Sequence, residues 1–215
     1  EAFDPQAAFA GYLAGLSPDR AALLSRYRLV DFAFKVVGVG SVGTFCAIGL
    51  FLSGDGEPLF LQIKEARRSV LERVSPRGVA IVDQGRRVVE GQRVLQAASD
   101  VLLGWVAPRE GERNFYVRRL KNRRLGSLGD VLEGEALPAY ARLCGRTLAR
   151  AHARSGDPAM LAGYMGRSET FDDALASFAI KYAKQTKADH AALAKAKGAS
   201  APAKKKSDKK KAEAA

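Results

Sequence analysis

Val36-Val37-Gly38-Val39-Gly40-Ser41-Val42-Gly43-Thr44 carries the spacing GxGxxG. Small residues at these positions let main-chain amides approach a phosphate that a larger side chain would hold off. Two unrelated structures use the spacing. In a dinucleotide fold the glycines end a strand and open a helix, whose N-terminus receives the pyrophosphate. In a kinase-like lobe they tip an antiparallel hairpin whose amides cover ATP phosphates. Residues 44–52 favour the second, because their aromatics, the mid-segment Gly49 and the missing polar stripe suit a strand better than a surface helix. Gly38, Gly40, Ser41 and Gly43 are therefore the candidate phosphate-covering residues. A non-catalytic interaction module with a weakly polyanion-binding basic tail and a dinucleotide-binding oxidoreductase stand as alternatives, as does a glycine-rich hairpin with no ligand.

Lys64 follows in the sequence Leu59-Phe60-Leu61-Gln62-Ile63-Lys64. Strand alternation places Phe60, Gln62 and Lys64 on one face and Leu59, Leu61 and Ile63 on the other. A kinase-like site needs one fixed cation beneath the loop, and a glutamate from the next helix to hold it. Glu90 is the candidate, on a helical stripe with Val94, Ala97 and Val101; Glu72 is closer in sequence. The plainer readings are a lysine snorkelling from a strand end and a solvated helix carboxylate.

His152, Arg154 and Asp157 form a second polar cluster at a helix end, where C-terminal capping is the simpler role. The basic run Arg118, Arg119, Lys121, Arg123 and Arg124 is either a phosphate-rich entrance or a solvated face. Cys46 and Cys144 lack metal-site spacing, and two histidines are too few for zinc, so no protein metal site is expected.

The elements that must position these residues form an α+β pattern. Two short helices open the chain, at about 7–16 and 21–27. A strand, the glycine loop, a strand, the Gly54-Asp55-Gly56 turn and a third strand at 59–64 follow. A long helix at 86–103 carries Val94, Leu95, Ala98, Val101 and Leu102 on one face, with Gly104 closing it. Strands at 105–107 and 115–120 flank 108–113, residues 126–134 make a connection, and helices follow at 139–154 and about 171–196. The expectation is an antiparallel sheet with a packed helix, resembling a kinase small lobe. The divisions are 1–30 as a helical lead-in, 31–125 as the nucleotide-binding region, 126–197 as a helical region and 198–215 as a tail.

With 215 residues and 47% hydrophobic content the chain can bury a core. Eight lysines between Lys195 and Lys211, set against Asp208 and Glu213, put +6 of the formal +12 charge in the last stretch. Interleaved with Ala, Ser, Gly198 and Pro202, that stretch reads as a disordered basic tail that binds polyanions weakly and in a salt-dependent way. No apolar run approaches bilayer length and no signal sequence is visible, so a cytoplasmic protein without a membrane partner is expected.

Jointly, KVVGVGSVGT (35–44), PLFLQIKEA (58–66), RVVEGQRVLQAASDVLLGW (87–105), NFYVRRL (114–120) and LCGRTLARAHARSGD (143–157) resemble a bacterial family, domain of unknown function 2252. The resemblance runs from the first helix to about His190. It implies a protein-kinase-like, circularly permuted protein using ATP and Mg2+. A GD-x-H-x-x-N-type catalytic loop and a metal-binding DFDE-type segment would precede the glycine loop. Neither motif occurs here, and the chain opens at Glu1. The expectation is the later half of a phosphotransferase, with nucleotide and the catalytic half as partners and no turnover alone.

Overall fold

The computed structural model describes residues 4–36, 38, 42–74, 83–106, 113–120 and 136–198. Gly40, Ser41, residues 121–135 with three members of the basic run, and the lysine-rich tail lie outside the described residues. The chain divides into two compact units, Glu1–Pro158 and Ala159–Ala215.

The first unit is built on a five-stranded antiparallel sheet of order β1-β2-β3-β5-β4. Its strands are β1 Arg28–Phe34, β2 Cys46–Leu52, β3 Pro58–Glu65, β4 Gly104–Val106 and β5 Phe115–Arg119. The first three are joined by the glycine loop and by a tight turn. In that turn Gly56 takes φ +87, and the Ser53 hydroxyl accepts the Glu57 amide at 2.9 Å. The α+β reading of the sequence is the architecture found.

Helix α1, Pro5–Ala14, starts where the Asp4 carboxylate accepts the Gln6 and Ala7 amides at 2.9 and 3.1 Å, with proline in its first turn. It lays Phe9 and Tyr12 on the sheet, the Phe9 ring 4.5 Å from Phe51. The short α2, Pro18–Leu24, buries Leu24 in the same core. Tyr12, Leu24, Phe51, Leu61, Ile63, Leu102, Phe115 and Val117 form that core, so the lead-in helices share it with the sheet. An apolar gap of only about 10 Å³ remains there, lined by Phe9, Tyr12, Leu29, Phe51 and Leu61.

Strand β1 reaches this core by a change of step. Leu29 pairs with Phe51 but Asp31 pairs with Leu50, so Val30 is an extra residue in a β-bulge. The bulge resets the alternation, and Leu29 and Phe32, three apart, both pack against the core.

Helix α3, Gln84–Leu95, starts at Asp83, whose carboxylate accepts the Arg86 amide at 2.9 Å. It lies against β4 and β5, with Val89 fully buried. The helix expected at 86–103 is therefore corrected: it begins two residues earlier and ends at Leu95. Asp100 explains the stop, because its carboxylate accepts the Leu102 amide at 2.9 Å and the Arg119 amide at 2.6 Å. A side chain that satisfies nearby amides offers the backbone an alternative to the helix. Val101, placed on the helical face by the periodicity, is 61% exposed. Gly104 is no helix cap. It opens β4, and a Cβ there would stand 2.7 Å from Tyr12 Cε2 and 2.9 Å from Leu16 Cδ2.

Helix α4, Leu137–Ser155, completes the first unit and contacts α3. In the second unit α5, Pro158–Met165, precedes α6, Thr170–Ala196, and the Tyr164 ring meets Phe171 edge-on at 5.9 Å. None of these three helices contains a buried residue. The sequence reading passed over α5, although Asp157-Pro158 is a helix-start signal.

Candidate functional site

Directly opposed residues of an antiparallel ladder share a face of the sheet. Lys64 is opposite Cys46 on one side and Tyr116 on the other, and Tyr116 is in turn opposite Trp105. These residues therefore mark the face away from α1. Lys64 stands across from the first residue of β2, three residues after Gly43, at the root of the glycine loop. Among the described residues no hydrogen bond or ion pair engages its amine.

Two residues before Lys64 on the same face, Gln62 is buried mid-sheet and bonded through both its amide oxygen and its amide nitrogen. Its Oε1 accepts from Arg118 Nε and Nη2 at 3.1 and 3.0 Å, while its Nε2 donates to Cys46 Sγ at 3.4 Å. Arg118, from the basic run, is thus held on the same face of the sheet as Lys64. Burial raises the Tyr116 phenol above its ordinary pKa, with Arg118 acting in the opposite sense. The result is a basic, partly apolar surface.

Helix α3 covers the β4–β5 part of this face, and Arg93 lies over the Trp105 ring at 5.9 Å. The glutamate expected to orient Lys64 is engaged elsewhere. Glu90 accepts from Arg86 Nε at 2.8 Å, an i, i+4 pair on the exposed side of α3, and raises the Arg86 pKa. The stripe used to place Glu90 inward included Ala97 and Val101, which lie beyond the helix. Glu72 sits in a single 3-10 turn, Val70–Arg73.

Of the glycine loop, Gly38 is exposed and Gly43 adopts φ +77, a left-handed conformation that glycine tolerates without strain. The segment after Gly43 is strand β2, not a helix. This overturns the dinucleotide-binding oxidoreductase, whose turn must deliver the chain into a helix N-terminus.

The sequence reading missed Glu65 and Arg67. Glu65 donates its own amide to the Phe45 carbonyl at 3.0 Å, while its carboxylate accepts the Phe45 amide at 2.8 Å. That carboxylate also takes Arg67 Nε at 3.2 Å, and the Glu65 side chain is only 8% exposed. Burial raises the Glu65 pKa, but the Phe45 amide and Arg67 outweigh it and hold the carboxyl below its ordinary value. Arg67 Nη2 donates to the Gly43 carbonyl. The Arg67 carbonyl accepts from Arg87 Nη2 at 2.9 Å, Arg87 Nε donates to Gln84 Oε1 at 2.6 Å, and the Gln84 amide donates to Asn114 Oδ1 at 2.8 Å. Nothing in the local sequence signals this arrangement, since Arg67 and Gly43 are 24 residues apart.

The second polar cluster lies where α4 ends. The His152 carbonyl accepts the Gly156 amide at 2.8 Å as α4 ends, and Arg154 Nη1 reaches the Leu95 carbonyl at 3.4 Å. Among the described residues, no three His, Cys, Asp or Glu side chains converge to hold a metal, and no helix is long and apolar enough to cross a membrane.

A family model described as "Uncharacterized protein conserved in bacteria (DUF2252)" matches residues 4–196. The chain belongs to this family. The match takes in the whole sheet, the Lys64 face, the Glu65–Arg67 contacts and helices α4 to α6, and stops short of the lysine-rich tail. No curated protein and no solved structure matches the chain.

Proposed function

We propose that the first unit of this DUF2252 chain is a nucleotide-binding lobe, in which the glycine loop and Lys64 take the phosphates of ATP. The observation that carries the reading is the position of Lys64. It stands across the ladder from the root of the glycine loop, on the sheet face away from the α1 core, with an amine no described residue engages. A phosphate lying under the loop would meet that amine, with Arg118 two register positions away adding positive potential. Phosphate groups normally arrive with Mg2+. The described residues offer no set of carboxylates to hold the ion, so its protein ligands, and any group acting on the phosphoryl acceptor, would come from outside them. The role proposed for the lobe is nucleotide binding.

Thermal unfolding with Mg-ATP tests the proposal. At a ligand concentration about 100 times Kd, binding adds roughly 2.7 kcal/mol. That is a rise in Tm of about 5–10 °C for a unit of this size. Lys64→Ala should abolish most of the rise while leaving the unliganded Tm near that of the wild type. No shift at millimolar ATP, or an equal shift in Lys64→Ala, would overturn the assignment.

A further inference from the structure

We infer that Arg67 is a positioning residue for the return limb of the glycine loop, Val42 to Phe45, tying it to the strand that carries Lys64 and to the start of α3. The inference deepens the nucleotide-binding reading above and rests on it for its functional consequence.

The geometry begins at the rung where the limb leaves the ladder. In the β2–β3 ladder, Phe45 and Glu65 come next after the Cys46–Lys64 pair. Such a pair can exchange two backbone hydrogen bonds. The Glu65 amide donates to the Phe45 carbonyl in this way. The Phe45 amide is met by the Glu65 side chain. The limb is therefore attached to β3 partly through a carboxylate, whose orientation needs its own support.

Arg67 supplies that support. One guanidinium has five donors in a fixed plane. Here its Nε goes to Glu65 Oε1, and its Nη2 goes to the Gly43 carbonyl, directly beyond the limb's attachment point. A single planar group thus reads both the brace and the limb. Gly43 is held at φ +77 although a Cβ there would meet nothing within 4 Å. The glycine answers to backbone conformation and not to crowding, and the Arg67 contact acts on that same peptide.

The other end of Arg67 is fixed as well. Its carbonyl accepts from Arg87 in the first turn of α3, and Ala66 donates its amide to the Asn114 carbonyl at 2.8 Å. The loop limb, the end of β3, the start of α3 and the approach to β5 are thereby joined through three consecutive residues. Lys64 and Glu65 point to opposite faces of the sheet, so the same short run presents the cation on one side and secures the loop on the other.

Arg67 is 57% exposed, and an exposed ion pair adds little to global stability. Its removal should leave the fold intact and release the limb, which separates a positioning role from a structural one. The experiment uses the full chain with Arg67→Ala, Arg67→Lys and Lys64→Ala. It reads the Tm, amide hydrogen exchange without nucleotide, and the Kd for Mg-ATP by calorimetry. Arg67→Ala is expected to keep Tm within about 2 °C and to speed exchange at Thr44 and Phe45 at least about tenfold, with amides of β5 unchanged. Its Kd for Mg-ATP should rise about tenfold, because the competent loop is populated less. Arg67→Lys, which keeps the charge but loses the planar fork, should fall between. Lys64→Ala should lose binding with normal exchange at the limb. Unchanged exchange at Thr44 and Phe45 in Arg67→Ala overturns the inference whatever the nucleotide result. Faster exchange in a chain whose wild type ignores ATP upholds the positioning role and removes the nucleotide reading.

Discussion

Gly85 and Gly91 lie six residues apart on α3, and the same substitution at each should change stability in opposite directions. A Cβ on Gly85 would lie 2.4 Å from the Phe115 carbonyl oxygen, and 3.1 Å from both its carbonyl carbon and Trp105 Cβ. The first obstacle is the backbone of β5, which is paired with β3 on one side and β4 on the other and cannot yield alone. Relief requires α3 to lift from the sheet, partly uncovering Val89. Overpacking of this kind costs about 1–3 kcal/mol. Alanine recovers at most about 1 kcal/mol of helix propensity, and less in a first turn. The net expectation for Gly85→Ala is a loss of about 1–2 kcal/mol, or several degrees in Tm. At Gly91 a Cβ meets nothing within 4 Å, so the propensity term acts unopposed and Gly91→Ala should gain up to about 1 kcal/mol. Urea unfolding followed by fluorescence suits the measurement, since the single tryptophan, Trp105, is at the contact in question. A Gly85→Ala midpoint equal to or above that of the wild type, at unchanged slope, would refute the close-approach reasoning. The Gly91→Ala midpoint shows whether α3 tolerates alanine in general.

Two further expectations follow from buried polar groups. The Glu65 carboxyl is held below its ordinary pKa in the folded chain, so its contribution is present above the unfolded value. It is lost as the pH falls through the lower folded value. The difference in unfolding free energy between wild type and Glu65→Gln should therefore be largest near neutral pH and shrink as acid is added below about pH 4.5; a difference independent of pH would count against the brace. Tyr12 is 1% exposed and its hydroxyl donates to the Leu102 carbonyl, with burial keeping the phenol protonated well above its ordinary range. Tyr12→Phe leaves that carbonyl without the donor and should cost about 1–2 kcal/mol in chemical denaturation, and a neutral result would mean that water replaces the hydroxyl.

The order of strand, glycine loop, strand, turn and strand was legible because each element carries its own local signal. Leu61 and Ile63 alternate with Gln62 and Lys64, and Gly54-Asp55-Gly56 marks the turn. What escaped were mostly features decided by distant partners. The apolar run through Val101 and Leu102 keeps helical spacing, yet Asp100 ends the regularity by bonding Arg119 across the sheet. Gly104 has the look of a helix cap and is in fact the place where the Tyr12 ring lies on the strand. Glu90 was placed inward by periodicity, while its real partner, Arg86, obeys the simpler i, i+4 rule. At the candidate site, the types and order of Gly43 and Lys64 could be read directly. Arg67 could not, since one more arginine in a basic stretch carries no local sign that a carbonyl 24 residues earlier is waiting for it.

The Val30 bulge has a bearing on solubility that its packing role conceals. β1 and β4 are the two margins of the sheet, and a straight margin offers unpaired amides and carbonyls to any passing strand. β4 is only three residues long, too short to recruit a neighbour. β1 is seven residues long and carries Phe32 and Phe34, the composition of an adhesive edge. Its extra residue bends and twists the strand, and breaks the even beat of donors that an incoming chain would have to match. Charged Arg28 and Asp31 stand on either side of the irregularity, where a partner strand would have to desolvate them. One inserted valine thus lets Leu29 and Phe32 share a core and leaves the outer margin a poor template for fibrous assembly.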